Sequence, residues 1–228
     1  MTIADKLQLI AENEQKVYAT GKQAEYDAFW DTIQKNGDTY MHYGYLFSNG
    51  DVWTQENIEK VKYKNLKASY SSVIFSGNKS ITDLSAFSID TPRTTHGIGK
   101  TSYSNTFGGC ENLVKSPLLH LGSMSSNPNC FNRCYALEEL QTYYDPNDPN
   151  GYLTGDLDLQ YSTKLSRKSI ENLVNGLSPD TSGKTLTLSE AAVNKAFETS
   201  EGANDGVDSD EWKNLTTTEH PNWSISLI

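Results

Sequence analysis

The chain has 228 residues, with 29 acidic against 19 basic side chains, a formal net charge of -10, 36% hydrophobic and 21% charged residues, and a mean hydropathy of -0.60. That length supports one large domain, or a medium domain with an appendage, and does not depend on disulfides; the composition is globular rather than disordered. The negative charge argues against nucleic acid as the main partner, since that affinity comes largely from Lys and Arg displacing counterions from phosphate, and no run approaches the roughly 18 apolar residues of a membrane span, so membrane insertion is not expected.

Residues 2 to about 35 read as a helix, opening on the capping-box-like Thr2-x-x-Asp5 and stopping near Asn36-Gly37. Ile3, Leu7, Ile10, Val17, Ala24 and Ala28 follow a four-three spacing that would line a coiled-coil seam. Glu14 and Gly21 interrupt the same seam. Residues 1–36 are therefore expected either to self-associate as an oligomerising stem, a trimer being one arrangement, or to dock on their own domain through Tyr26, Phe29 and Trp30. The first residues lack the uninterrupted apolar core of a secretory signal, so export by that route is not expected.

Residues 37–69 are an aromatic-rich connecting region, with Tyr40, Tyr43, Tyr45, Phe47 and Trp53 read as irregular strand and turn that joins the helix to the rest.

From residue 70 to 228 the chain repeats. Phe75, Asn78, Ile81 and Leu84 are spaced three apart; Phe107, Cys110, Leu113 and Ser116 copy that spacing, and Phe131, Cys134, Leu137 and Leu140 copy it again. The starts lie 32 and 24 residues apart, as a solenoid permits when inserts leave through loops while the stacked frame keeps its geometry. Each unit is expected to place its Phe, its small Cys or Asn and its aliphatic residues in one core layer, with Cys110, Cys130 and Cys134 reduced and buried. Longer strand-helix units follow: Leu157-x-Leu159 before a helix with Ile170, Leu173, Val174 and Leu177 on one face, then Leu186-x-Leu188 before a helix burying Ala192, Val193, Ala196 and Phe197. Ile225-x-Leu227 offers a closing strand, with Trp212 and Trp223 beside it. The expected fold is α/β, a short irregular leucine-rich-repeat-like solenoid with an N-terminal helical stem or cap.

Chemical motifs are weak. Gly97-Ile98-Gly99-Lys100-Thr101 resembles the end of a phosphate-binding loop, but Thr94 stands where the first Gly is required. The loop Asp145–Gly151 holds oxygen donors, with Pro149 where an EF-hand ligand would sit, and the acidic stretch 198–211 is a second weak calcium candidate. His42, His96, His120 and His220 form no metal-ligand spacing. No nucleophile elbow is present, so no catalytic residue, no metal site and no cofactor is expected, and the chain reads as non-enzymatic.

The Phe-x-x-Cys-x-x-Leu frame over roughly residues 70 to 200 resembles the BspA-type leucine-rich repeats of bacterial and phage proteins. The stretches Thr2–Tyr18, Lys22–Trp30 and Ala191–Asn204 resemble segments of repeat proteins from phages and prophages of gut Firmicutes. The resemblance implies a virion structural component of tail-fibre, baseplate or head-fibre type, assembled in the host cytoplasm, in which the repeats present a surface and the helix fastens it to the particle. Its partners would be other virion proteins and a host-surface glycan or protein, with Tyr143, Tyr144 and Tyr152 as candidate contacts. Two other readings stay open: a bacterial leucine-rich-repeat scaffold or adhesin, and a glycan hydrolase whose carboxylates are far apart in sequence.

Overall fold

A computed structural model of the chain describes residues 47–51, 53–61, 64–67, 74–90, 106–124, 129–145, 147, 151–218, 220 and 222–228. The helix expected over residues 2 to 35, with its seam Ile3, Leu7, Ile10, Val17, Ala24 and Ala28, lies outside these residues, as do Tyr40, Tyr43, Tyr45, His42, His96 and the string Gly97–Thr101.

The architecture is mixed α/β, built on two parallel sheets, and neither sheet closes into a barrel among the described residues. A short helix α1 (Gln55–Glu59) starts where the Thr54 hydroxyl accepts the Asn57 amide at 3.3 Å, and it buries Ile58. The first sheet runs in chain order through β1 (Asn65–Lys67), β2 (Ser88–Asp90), β3 (Leu118–His120) and β4 (Thr142–Tyr143). Leu66 pairs with Ile89, Ile89 with Leu119 and Leu119 with Thr142, all in parallel register. The turn α2 (Leu121–Met124) follows β3 directly.

The second sheet holds β5 (Leu157–Leu159), β6 (Lys184–Leu188) and β7 (Trp223–Leu227), again parallel and in chain order. Parallel neighbours need a crossover between them. The first crossover carries α3 (Arg167–Asn175), and the second carries α4 (Glu190–Ala196) and α5 (Asp210–Lys213). Helix α3 begins where Ser166 caps the Ser169 amide at 3.3 Å and buries Ile170, Leu173 and Val174, residues spaced three and four apart as the pattern predicts. It ends at Gly176, where an added Cβ would stand 2.1 Å from Leu121 Cδ1, so a larger residue there would require the Leu121 side chain to shift.

One continuous core joins the two sheets, from Phe47 and Trp53 through the frame residues to Leu186, Leu188 and Trp223. Its spine is a row of phenylalanines. Phe47 stacks on Phe75 with ring centroids 5.2 Å apart, Phe75 on Phe107 at 5.7 Å and Phe107 on Phe131 at 4.9 Å. The row starts 28 residues before Phe75, one ring earlier than the spacing predicts. Phe47 is followed at the frame positions by Gly50 and Trp53, and Trp53 packs edge-on against the Phe47 ring at 4.6 Å. Each ring pair is worth about 0.5–1.5 kcal/mol beyond the area it buries.

Candidate functional site

The main chain repeats with the rings. Phe47, Phe75 and Phe107 each donate an amide to the carbonyl just before the next Phe: to Ile74 at 2.7 Å, Thr106 at 3.1 Å and Cys130 at 3.1 Å. Three residues after Phe75, Phe107 and Phe131 a small polar side chain turns inward. The Asn78 amide donates to the carbonyls of Phe47 at 2.8 Å and Trp53 at 2.9 Å. The Cys110 thiol donates to Phe75 and the Cys134 thiol to Phe107, both at 3.1 Å, and the Ser162 hydroxyl donates to Cys134 at 3.3 Å. This is a chemical reason for the frame: the third position needs a compact donor that reaches back one unit.

All three cysteines are free and buried. Burial pushes the Cys110 thiol up to about 12 and lifts those of Cys130 and Cys134 well above the ordinary range. They are held as protonated thiols rather than as nucleophilic thiolates. The remaining frame residues Ile81, Leu84, Leu113, Leu137 and Leu140 are buried with them. Ser116 is buried as well, and its hydroxyl accepts the Gln141 amide at 2.8 Å.

Outside the core, equivalent positions of neighbouring units meet in columns. Lys79 pairs with Glu111 and Lys115 with Glu139, each at 2.9 Å. Gln55 holds the next unit through both ends of its amide, accepting from the Thr82 and Asp83 amides and donating to the Asp83 carbonyl. Such exposed pairs contribute little stability, about 0–1 kcal/mol each, but they fix the register between units.

The surface beside β3 and β4 is aromatic. Tyr143 and Tyr144, both named from the sequence, are exposed, and the Tyr144 ring lies 5.2 Å from that of Tyr152. Tyr143 covers the buried His120 edge-on at 4.9 Å. A further pair, Tyr135 and Tyr161, meets edge-on at 5.9 Å, and the sequence pattern gave no reason to single it out. Leu118 is also exposed.

Between the β4 strand and helix α3 lies an open groove of about 600 Å³, lined by Lys115, Leu118, Glu139, Gln141, Thr142, Lys168 and Asn172 among others. It is held at its base by hydrogen bonds that tie α3 to the preceding unit. The Ser166 amide donates to the Glu138 carbonyl at 2.8 Å, and the Ser169 hydroxyl accepts the Leu140 amide at 3.0 Å. A volume of this size is within the range of small-ligand sites, roughly 300–1,000 Å³. The helix follows from its apolar spacing, whereas the two-residue strand that faces it leaves no such pattern.

The calcium candidates have local partners. The Asp145 carboxylate accepts the Asn147 amide at 2.9 Å, a turn of the Asx type. In the acidic stretch, Glu198 accepts the Gly202 amide at 3.1 Å and Asp205 the Thr199 amide at 2.8 Å. The bonds from Thr199 hold the Asp205 carboxyl below its usual range. Among the described residues no group of three or more His, Cys, Asp and Glu side chains is arranged to hold a metal ion, and no helix is long and apolar enough to cross a membrane. Comparison with protein-family models, characterised proteins and solved structures gives no match to this chain.

Proposed function

We propose that the chain is a non-catalytic phage virion structural protein of tail-fibre, baseplate or head-fibre type, whose units form a short leucine-rich-repeat-like solenoid that presents a surface to the host or decorates the particle. The observation that carries the reading is the unit-to-unit stack: rings from Phe47 to Phe131 in one row, with each inward donor bonded to the unit before it. Units that contact chiefly their neighbours build a stiff, elongated scaffold with a broad side surface, and such surfaces bind by shape and chemistry rather than by turnover. The aromatic face of Tyr143, Tyr144 and Tyr152 and the adjoining groove supply that surface. The phage assignment draws on the resemblance of the segments Thr2–Tyr18, Lys22–Trp30 and Ala191–Asn204.

The test is to purify phage particles from an induced host culture, probe them with an antibody to the full chain, and incubate the chain with host envelope fractions. The expected result is a signal on intact particles together with saturable envelope binding and no release of sugar or peptide. Absence from the particles overturns the virion assignment; capture of a soluble host protein in place of envelope indicates a scaffold, and released sugar a hydrolase.

A further inference from the structure

We infer that the groove between β4 and α3 is a binding site for an acidic sugar, a pyranose carrying one carboxylate. The inference deepens the host-binding reading and rests on it only in taking this face as the one that meets a ligand. Several of the polar groups lining the groove are already engaged. Lys115 is bonded to Glu139 at 2.9 Å. Gln141 donates its side-chain amide to the Ser116 carbonyl at 3.1 Å, and Ser166 and Ser169 bond to each other at 2.9 Å.

Three groups are left. The Ser85 hydroxyl lines the groove on an exposed residue and makes no hydrogen bond among the described residues, only its main-chain amide being engaged, by Asp83. Lys168 and Asn172, one turn apart on α3, line the same groove. Their side-chain ammonium and amide make no hydrogen bond or ion pair among the described residues. The unengaged set is thus one cation, one amide and one hydroxyl, beside the exposed apolar surface of Leu118.

That set selects a ligand class. Lys115 and Lys168 against Glu139 leave the groove with one positive charge in a chain whose formal net charge is -10. A single ammonium is a point charge, matched by one carboxylate; a phosphate dianion calls for more cations or the fork of an Arg. The amide of Asn172 and the hydroxyl of Ser85 both donate and accept, as ring hydroxyls require. Leu118 offers an apolar patch to the C–H face of a sugar ring, in keeping with the few placed polar groups and apolar lining of small-ligand sites.

The probe is D-glucuronic acid, titrated into the full chain and followed by ligand-observed NMR, with D-glucose as the neutral control. Saturable binding of glucuronic acid is expected, with glucose about tenfold weaker or more. Lys168→Gln, an exposed helix-surface change that leaves the melting temperature where it was, is expected to weaken glucuronic acid about tenfold and leave glucose unaffected. Ser85→Ala, a change on an exposed residue, is expected to weaken both sugars. No binding of glucuronic acid, equal binding of the two sugars, or full affinity in Lys168→Gln overturns the assignment. If the chain binds envelope while glucuronic acid fails, the groove assignment alone falls. If glucuronic acid binds but particles lack the chain, the virion reading falls and the site stands.

Discussion

The Cys134 thiol donates to the main-chain carbonyl of Phe107 at 3.1 Å, and the Cys110 thiol makes the same contact with Phe75 one unit earlier. Sulfur at this position fills the space between stacked units and also supplies a donor. Cys134→Ala removes both roles and is expected to cost about 1–2 kcal/mol, from the lost hydrogen bond and a small cavity. Cys134→Ser keeps a donor of the kind that Ser162 supplies one unit later at 3.3 Å, so it is expected to lose less. Denaturant unfolding of the two variants beside the parent measures the order; equal losses would show that packing alone sets the residue.

The same thiols set a dependence on alkaline pH. Burial raises the Cys110 thiol from 9.0 to about 12 in the folded chain. Below pH 9 both folded and unfolded states keep the proton and stability is unaffected by it. Between about 9 and 12 the unfolded state gives up its proton while the folded state retains it, so stability falls with rising pH, by up to about 1.4 kcal/mol per pH unit for each such thiol. Cys130 and Cys134 act in the same direction. Tyr and Lys titrate there too, so the measurement is a difference: Cys110→Ser is expected to lose stability less steeply between pH 9 and 11 than the parent. Parallel curves would show that the thiol does not titrate between the two states.

The frame was legible because a constant offset of three puts ring, donor and aliphatic residue at fixed places, and Phe75, Cys110 and Leu137 are all buried where that offset puts them. Phe47 was not legible as the first ring, because its frame partners are Gly50 and Trp53 and neither matches the pattern. What makes it a member is the stack on Phe75 and the bond from its amide to Ile74, and a main-chain contact leaves no mark on side-chain spacing. The groove was hidden for a different reason. Lys168 and Asn172 sit on a helix the periodicity predicts, but Thr142 belongs to a strand of two residues, and only the packing of α3 against β4 brings them together. The exposed Tyr143 and Tyr144 were named only as aromatic side chains suited to contact, with no spacing to place them on the surface.

Backbone geometry marks one residue as out of keeping with its neighbours. Gly77 and Gly109, each two positions after its ring, have φ values of 78° and 80°, and Arg133 holds the same place after Phe131 with φ 60°. A side chain in the left-handed region is disfavoured by roughly 1–2 kcal/mol, offset in part by the greater freedom glycine gives the unfolded chain. Arg133→Gly is therefore expected to stabilise the fold by about 0.5–1 kcal/mol. The reverse change, Gly109→Ala, adds a Cβ 3.4 Å from the Gly77 Cα on top of the same strain and is expected to destabilise. Thermal melts of the two variants against the parent give the signs; a lower melting temperature for Arg133→Gly would show that the arginine side chain contributes more than its backbone costs.

Asn78 departs from the Cys of the later frames, and the fold gives a reason. Its amide nitrogen bridges two carbonyls, Phe47 at 2.8 Å and Trp53 at 2.9 Å, while its oxygen accepts the Ser80 amide at 2.8 Å. A thiol offers one weak donor and reaches one carbonyl. Replacing Asn78 by Cys would make the frame more regular in sequence and leave the Trp53 carbonyl and the Ser80 amide without this partner. Each lost bond to a buried group costs about 1–3 kcal/mol when no water takes its place. The Trp53 carbonyl is buried, whereas the Ser80 amide belongs to an exposed residue and can turn to water, so Asn78→Cys is expected to destabilise by about 1–3 kcal/mol, and Asn78→Ala by more, although Asn78→Cys brings the residue to the type found at 110 and 134. Urea unfolding of both variants decides between the two accounts. A gain in stability on Asn78→Cys would mean that the repeated residue type, rather than the number of bonds it makes, governs this position.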